Sequence, residues 1–232
     1  MKKIMFFCLI ALFTLASTSC SSDDEYYSLG DYVVKTATIE VQSTSPYVIV
    51  TDGEDGGERL YPSASWVPNF KVHDGQRVWV SYTILKDAEK TADDIDHYVR
   101  VNDFAEILTK GIFELTPEKE DSIGNDPVRI KGYWFTNDFL TVRFTYGGGG
   151  AIHFINLVQN VNNLETDKGM PILEFRHNRN HDLYNYEIWG AASFDLSKLK
   201  VEGQDSVQFV FKAKSPSNET PFEKIITYKY GE

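Results

Sequence analysis

Short runs of β-branched and aromatic residues, separated by turn residues, recur along most of the chain and favour β-sheet over any other structure. The clearest run, residues 76–85, has two alternating faces: Val78, Val80, Tyr82 and Ile84 on one, Trp79 and Ser81 on the other. Such alternation is typical of a strand with one buried face. Helical periodicity is almost absent, with short candidates only at residues 104–109 and 194–199. The pattern therefore predicts an all-β protein.

The N-terminus has the pattern of a bacterial lipoprotein signal peptide. Two lysines precede an uncharged apolar run from Ile4 to Leu15. This run is shorter than the ~20 residues that a membrane-spanning helix needs, and it fits the hydrophobic part of a secretory signal. Small residues follow and end at Cys20, which predicts cleavage after residue 19 and lipidation of Cys20. The alternative is a plain secretory signal that is cleaved near Ala16.

An acidic, serine-rich cluster follows the predicted lipidation site: Ser21, Ser22, Asp23, Asp24 and Glu25. Its position resembles the surface-export signal of Bacteroidetes lipoproteins, which predicts an outer-membrane lipoprotein facing the cell surface. The alternatives are a solvated tether and an anchor on the periplasmic face. Of the two cysteines, Cys8 leaves with the signal and Cys20 carries lipid, so no disulfide is expected in the mature chain.

The first half of the mature chain is predicted to form a small barrel. Its candidate strands lie at residues 32–41, 47–50, 59–61, 76–85 and 97–101. Short strands with long connections suit a Greek-key barrel such as an OB-fold, although half of a sandwich has the same pattern. Residues 115–128 then contain two prolines and a Gly-Asn pair, which is typical of an inter-domain linker or the entrance to a second domain.

About seven further strands are predicted in the second half, at the spacing expected of an immunoglobulin-like β-sandwich. They lie at residues 128–134, 139–146, 151–157, 172–175, 184–189, 207–211 and 225–230. The predicted organisation is a signal peptide at 1–19, a lipidated acidic tether at 20–30, an OB-like barrel at 31–116 and a β-sandwich at 117–232.

Net charge excludes one class of partner. The formal charge is −11, and loss of Lys2 and Lys3 with the signal changes it to −13. Nucleic-acid binding needs clustered Lys and Arg to displace counterions, so a nucleic-acid partner is not expected. An anionic polymer is disfavoured for the same reason, which leaves neutral glycans and envelope proteins.

Several motifs, in order, resemble the NigD-like lipoproteins of Bacteroidetes. They are Leu60–Ser65, Val67–Phe70, Asp74–Val78, Tyr98–Asp103, Asp121–Val128 and His153–Asn156. The resemblance implies an N-terminal OB-like domain and a C-terminal β-sandwich. The family is named for an operon linked to bacteriocin production, and the resemblance implies no catalytic residue or ligand.

No pattern of catalytic or metal-binding residues is convincing. His177 and His181 have the four-residue spacing of helical zinc ligands, but neighbouring arginines oppose a cation and a polar hairpin loop is expected instead. Two acidic groups, Asp52 with Glu54 and Asp55, and Asp93 with Asp94 and Asp96, lack the calcium-loop pattern. Gly147 to Gly150 lacks the lysine of a phosphate loop, and a flexible connection is expected there. We therefore predict no enzyme, metal or cofactor.

Non-catalytic binding of a ligand or partner remains the favoured function. Trp66, Phe70, Trp79 and Tyr82 lie in the predicted barrel, and flat aromatic rings on an OB face bind sugars or peptides. These residues are predicted to form a ligand-binding face, with core packing as the alternative. The alternative functions are a structural, assembly or immunity lipoprotein of a bacteriocin-linked system and, less favoured, an envelope enzyme.

Two short motifs predict modification. Ser122 and Ser206 each follow an aspartate and precede an apolar residue, as in the O-glycosylation sites of Bacteroidetes envelope proteins. The alternative is that both serines belong to turns that lead into strands.

Overall fold

The computed structural model describes residues 27–42, 47–53, 56–67, 69–89 and 94–231. The predicted signal peptide, the lipidation site Cys20 and the acidic cluster at residues 21–25 lie outside the described residues. Glu54, Asp55 and Asp93 also lie outside them. Among the described residues, no helix has the length and apolar character needed to cross a membrane.

The N-terminal domain is a closed five-stranded barrel. Its strands are β1 (Val33–Glu40), β2 (Val48–Thr51), β3 (Arg59–Ser65), β4 (Arg77–Asp87) and β5 (His97–Glu106). They close in the order β1-β2-β3-β5-β4, and only the β3–β5 pair is parallel. The alternation predicted for β4 is confirmed, because Val78, Val80 and Tyr82 are buried in the barrel core.

The C-terminal domain is a β-sandwich built from one eight-stranded sheet that folds over a shared core. Its strands are β6 (Leu108–Leu115), β7 (Arg129–Thr136), β8 (Phe139–Gly148), β9 (Phe154–Asn160), β10 (Ile172–Asn178), β11 (Tyr186–Asp195), β12 (Ser206–Ala213) and β13 (Phe222–Lys229). The order is β13-β12-β10-β9-β6-β11-β8-β7. The predicted sandwich is confirmed. Three of its strand pairs are parallel, however, whereas immunoglobulin sheets are antiparallel.

β6 connects the two layers of the sandwich. Residues 108–111 pair with β11 in one layer, and residues 112–115 pair with β9 in the other. The sequence analysis placed β6 in the barrel, with the boundary after residue 116. The structure places that boundary before Leu108, because every strand partner of β6 belongs to the sandwich.

The proline-containing segment predicted as a linker lies within the sandwich. It forms a 3-10 turn at Pro117–Lys119 and a short helix, α1 (Glu120–Ile123). Arg176 of β10 donates a 2.8 Å hydrogen bond to Glu120, and Asn178 donates one of 2.8 Å to the carbonyl of Ser122. The segment is therefore attached to β10.

Both helices predicted from short apolar runs are wrong. Residues 104–109 belong to the end of β5 and the start of β6. Residues 194–195 end β11, and Ser197–Leu199 form a 3-10 turn. In both segments the backbone hydrogen bonds of neighbouring strands outweigh the weak local preference for a helix.

Candidate functional site

The barrel and the sandwich are joined by a buried arginine. Arg77 begins β4, its side chain is fully buried, and its guanidinium donates to both carboxylate oxygens of Asp52 at 2.6 and 2.5 Å. It also donates to Thr38 of the barrel at 2.9 Å. Across the domain boundary it donates to Thr141 of β8 at 3.0 Å and to Ser193 of β11 at 3.4 Å. One side chain thus bonds to both domains.

Asp52 receives donors from both domains as well. The Thr36 hydroxyl of β1 donates to it at 2.6 Å, and the indole N–H of Trp134 of β7 donates at 2.7 Å. Burial acts to raise the pKa of Asp52, but the hydrogen bonds and charge of Arg77 outweigh it and lower the pKa. Asp52 is therefore ionised, and the Arg77–Asp52 pair holds β1, β4, β7 and β8 in one arrangement.

A groove of about 1390 Å³ opens beside this pair, between the barrel and the sandwich. We call it the interdomain groove. One wall is formed by residues 34–36 of β1, and the other by residues 132–136 of β7. Trp79, Tyr133 and Trp134 supply aromatic surface along these walls. A groove of this size with aromatic walls is suited to an extended ligand.

The groove has an unpaired positive charge although the chain is acidic. Lys35 pairs with Glu58 at 2.8 Å, and Arg59 pairs with Glu40 at 2.9 Å. Arg143 of β8 is exposed and has no ion-pair or hydrogen-bond partner in the described part of the chain. A guanidinium presents five N–H donors and accepts none, so Arg143 can bind a carboxylate or a carbonyl group.

Two buried polar atoms at the groove also have no partner among the described protein atoms. They are Nε of Arg59 and the hydroxyl oxygen of Thr136. An unsatisfied buried polar group costs about 1–3 kcal/mol, so such groups are normally satisfied by water or a ligand. Both atoms are buried beside the groove, so neither is exposed to a ligand that occupies it.

The structure separates the four aromatic residues predicted as one binding face. Trp79 lines the groove and meets Trp189 of β11 edge to face, with ring centroids 6.2 Å apart. Trp66 is 65% exposed but lies outside the groove, beneath the Arg100 guanidinium at 3.9 Å.

The other two predicted residues belong to the barrel interior. Phe70 stacks on Phe104, with centroids 4.5 Å apart, against the core. Tyr82 is 1% exposed and its hydroxyl donates to Glu58 at 3.1 Å. The prediction of a single four-residue face is therefore wrong, because Phe70 and Tyr82 pack inward when the barrel closes.

Family models cover both domains. The NigD-like N-terminal OB domain matches residues 37–107, and the NigD-like C-terminal beta sandwich domain matches residues 111–229. The chain belongs to the NigD-like family. The two matches meet at the start of β6, where the structure also places the domain boundary.

Solved structures resemble this NigD-like chain over most of its length. A protein of Parabacteroides distasonis, whose name relates it to a toxin, is 30% identical, covers 86% of this chain and 94% of its own, and has a TM-score of 0.70. A Bacteroides vulgatus protein of unknown function is 27% identical; the match covers 85% of this chain and 91% of the other, with a TM-score of 0.68. A NigD-like immunity protein of Bacteroides caccae is 16% identical; the match covers 88% of this chain and 99% of the other, with a TM-score of 0.63. At this identity the match shows only that the two proteins share a fold. No curated protein matches the chain.

A second polar cluster in the NigD-like sandwich involves a histidine pair that the sequence did not predict. His177 is buried and contacts His153, with Nε2 and Nδ1 2.7 Å apart. His181 lies on an exposed turn, so it does not share a face with His177. No group of three possible metal ligands occurs among the described residues.

Asp182 completes this cluster and holds the glycine-rich loop. Its carboxylate contacts Nε2 of His153 at 3.0 Å and accepts the backbone N–H groups of Gly149, Gly150 and Ala151 at 2.5, 3.0 and 3.1 Å. The hydrogen bond from the Gly149 N–H is the main cause of the lowered pKa of Asp182. Gly149 and Gly150, from the segment Gly147–Gly150 predicted as a flexible connection, are thus bound with Ala151 to one carboxylate.

Every ring nitrogen of the histidine pair has a polar neighbour. Burial, aided by the charge of His153, lowers the pKa of His177 to about 4, so His177 is neutral. Nδ1 of His177 lies 3.3 Å from the carbonyl oxygen of Pro127, and its Nε2 faces Nδ1 of His153. Nε2 of His153 faces the carboxylate of Asp182. The pair is therefore held on both sides by groups of the sandwich.

The two serines predicted as modification sites lie on the sandwich. Ser122 is exposed in α1, where its hydroxyl donates to the carbonyl of Lys119 at 2.9 Å. Ser206 is half-buried at the first position of β12. Their O-glycosylation stays a prediction.

Proposed function

We propose that this NigD-like protein is a lipid-anchored, non-catalytic binding module of the outer membrane, facing the cell surface. Its ligand, a neutral glycan or an envelope protein, would bind in the interdomain groove. The observation that carries the proposal is the groove itself, where Trp79, Tyr133 and Trp134 line the walls together with the exposed Arg143.

The groove is tested with Trp79→Ala. Loss of the indole removes an aromatic wall of the groove. It is expected to weaken binding at least about tenfold, because stacking of one ring of a ligand on an aromatic side chain contributes roughly 1–3 kcal/mol. The measurement is binding to a glycan array and to envelope proteins, with circular dichroism to verify folding. Trp66→Ala is the matched control, since Trp66 lies outside the groove. Equal binding by Trp79→Ala and the wild type would contradict the proposal.

The anchor is tested with Cys20→Ala. The variant is expected to incorporate no labelled palmitate and to leave the membrane fraction, because residue 20 is the only cysteine after the signal. Replacing Asp23, Asp24 and Glu25 with Ala is the companion variant. It should keep its lipid but lose accessibility to protease added to intact cells. Undiminished labelling of Cys20→Ala would exclude lipidation at this site.

A second candidate function is an assembly or immunity lipoprotein of a bacteriocin-linked system. The similarity to the NigD-like immunity protein of Bacteroides caccae favours it. Deletion of the gene should then make the producing strain sensitive to its own bacteriocin, and a strain of unchanged resistance would exclude the immunity role.

A further inference from the structure

β7 is an edge strand with free main-chain groups. The eight-stranded sheet ends at β7, whose one strand partner among the described residues is β8. The two strands join through a two-residue loop, with Thr136 opposite Phe139. Because hydrogen bonding alternates along an antiparallel pair, the N–H and C=O groups of Tyr133 and Phe135 point away from β8. No backbone hydrogen bond from another segment reaches them among the residues described.

The interdomain groove runs along this edge. Successive side chains of a strand point to opposite faces, so a cavity lined by five consecutive residues, 132–136, must meet the strand at its edge. Residues 34–36 of β1 line the opposite wall in the same way. β2 pairs with β1 only from Ala37 onward, which leaves Val34 and Lys35 without a strand neighbour on that side. The groove is therefore bordered by two strand edges.

The regular part of this edge is short. The ladder with β8 shifts register between Ile130 and Gly132, so uninterrupted pairing runs over residues 132–136, and Arg129 and Ile130 pair with β8 beyond the shift. A register shift of this kind bends an edge strand and protects it from indiscriminate pairing with other chains.

A side chain beside this edge needs acceptor groups. Arg143 lies opposite Gly132 in the β7–β8 ladder. A β-carbon built on Gly132 would lie 3.9 Å from Nη2 of Arg143, so the guanidinium extends over this glycine. Arg143 is exposed and has no acceptor among the described residues. Main-chain carbonyls of an added strand supply acceptors at regular intervals, and one Asp or Glu side chain supplies a bidentate partner for Arg143.

We propose that the interdomain groove binds an extended polypeptide segment of a partner protein, which adds as a strand to the β7 edge and places a carboxylate against Arg143. This inference rests on the proposed binding function and names the class of its ligand. The added segment forms main-chain hydrogen bonds with Tyr133 and Phe135, and these supply affinity. Arg143, Trp79 and Trp134 contact its side chains and supply specificity. The net charge of −11 opposes a highly acidic partner, so the attraction is to a single local carboxylate.

The probe is a displayed library of linear peptides, selected on the purified full chain. Selected peptides are expected to alternate apolar residues with an Asp or Glu. Their binding should slow hydrogen exchange of the Tyr133 and Phe135 amides, followed by NMR. Arg143→Glu should weaken these peptides at least about tenfold, since it reverses a charge-assisted contact. Lys168→Glu, in an exposed loop between β9 and β10, is the matched control and should bind like the wild type.

Three results would overturn the inference. One is peptide binding that leaves the Tyr133 and Phe135 amides unprotected. Another is equal weakening by Arg143→Glu and Lys168→Glu. The third is that no peptide is selected, whereas glycans bind the wild type and fail to bind Trp79→Ala. In that case the proposed function stands, but its ligand is a glycan rather than a peptide. Failure of both glycans and peptides to bind would remove the proposed function as well.

Discussion

Arg77→Ala is expected to lower the free energy of unfolding by about 3–5 kcal/mol, because it leaves the buried Asp52 carboxylate without its charge partner. The side chains of the pair are 0% and 7% exposed. The same substitution also removes donors to Thr141 and Ser193, which are the direct polar links of Arg77 to the sandwich. Urea denaturation, followed by fluorescence of the four tryptophans, measures the change.

The matched control is Arg59→Ala. Arg59 forms an ion pair of similar length with Glu40, but the two side chains are 25% and 40% exposed. Exposed pairs contribute about 0–1 kcal/mol, so this variant should lose far less stability. A cost for Arg77→Ala no greater than that for Arg59→Ala would contradict the buried ion pair. Because Arg77 joins the two domains, its loss is also expected to move their unfolding midpoints apart.

Acidification from pH 6.5 to pH 4 is expected to remove up to about 3 kcal/mol of stability through His177. Burial lowers the pKa of this side chain from 6.5 to about 4 in the folded protein. Below pH 6.5 the unfolded chain takes up this proton first, so the contribution is complete above pH 6.5 and declines as the pH falls towards 4. The lowered pKa of Asp182 acts in the same direction at lower pH.

His177→Gln tests this expectation through the slope of stability against pH. The variant has no imidazole at this position, so its free energy of unfolding should fall less steeply between pH 6.5 and 4, whatever its stability at pH 7. His73→Gln removes an exposed imidazole from the barrel and is the matched control. An unchanged slope in His177→Gln would show that another group causes the acid sensitivity.

Strands were predictable where their pattern is local. The alternation in β4 identified its buried face, because a closed barrel needs one apolar side on each strand. The β7–β8 hairpin was predictable from two β-rich runs around residues 136–138, where Asn137 adopts a positive φ of 52°. In both cases neighbouring residues contain the whole signal.

Strand partners far apart in the chain were not predictable. β6 has a mixed pattern of burial, and its assignment to the sandwich depends on parallel pairing with β9 and β11. A single sequence carries no signal for such pairing, because the pattern of one strand is compatible with many partners. The predicted domain boundary therefore fell after β6 rather than before it.

The candidate site was predictable only in part. Trp79 lines the groove, whereas Tyr82, three positions later and predicted for the same binding face, is buried in the core. The alternation of β4 already placed Tyr82 on the apolar face with Val78 and Val80, but grouping the aromatic residues by composition disregarded that face. Arg143 and Trp134 were missed, because their closeness to the barrel depends on the domain contact.

The sequence by itself determined the all-β class, the two-domain order and the resemblance to NigD-like proteins, because strand periodicity and family motifs are properties of short segments. The tertiary structure alone decided the groove, the Arg77–Asp52 pair and the His153–His177–Asp182 cluster. Trp134 and Asp52 are 82 positions apart, and His153 and Asp182 are 29 apart. The first contact forms only when the barrel packs against the sandwich, and the second only when distant segments of the sandwich meet. Both depend on the summed burial of tertiary packing rather than on any local pattern.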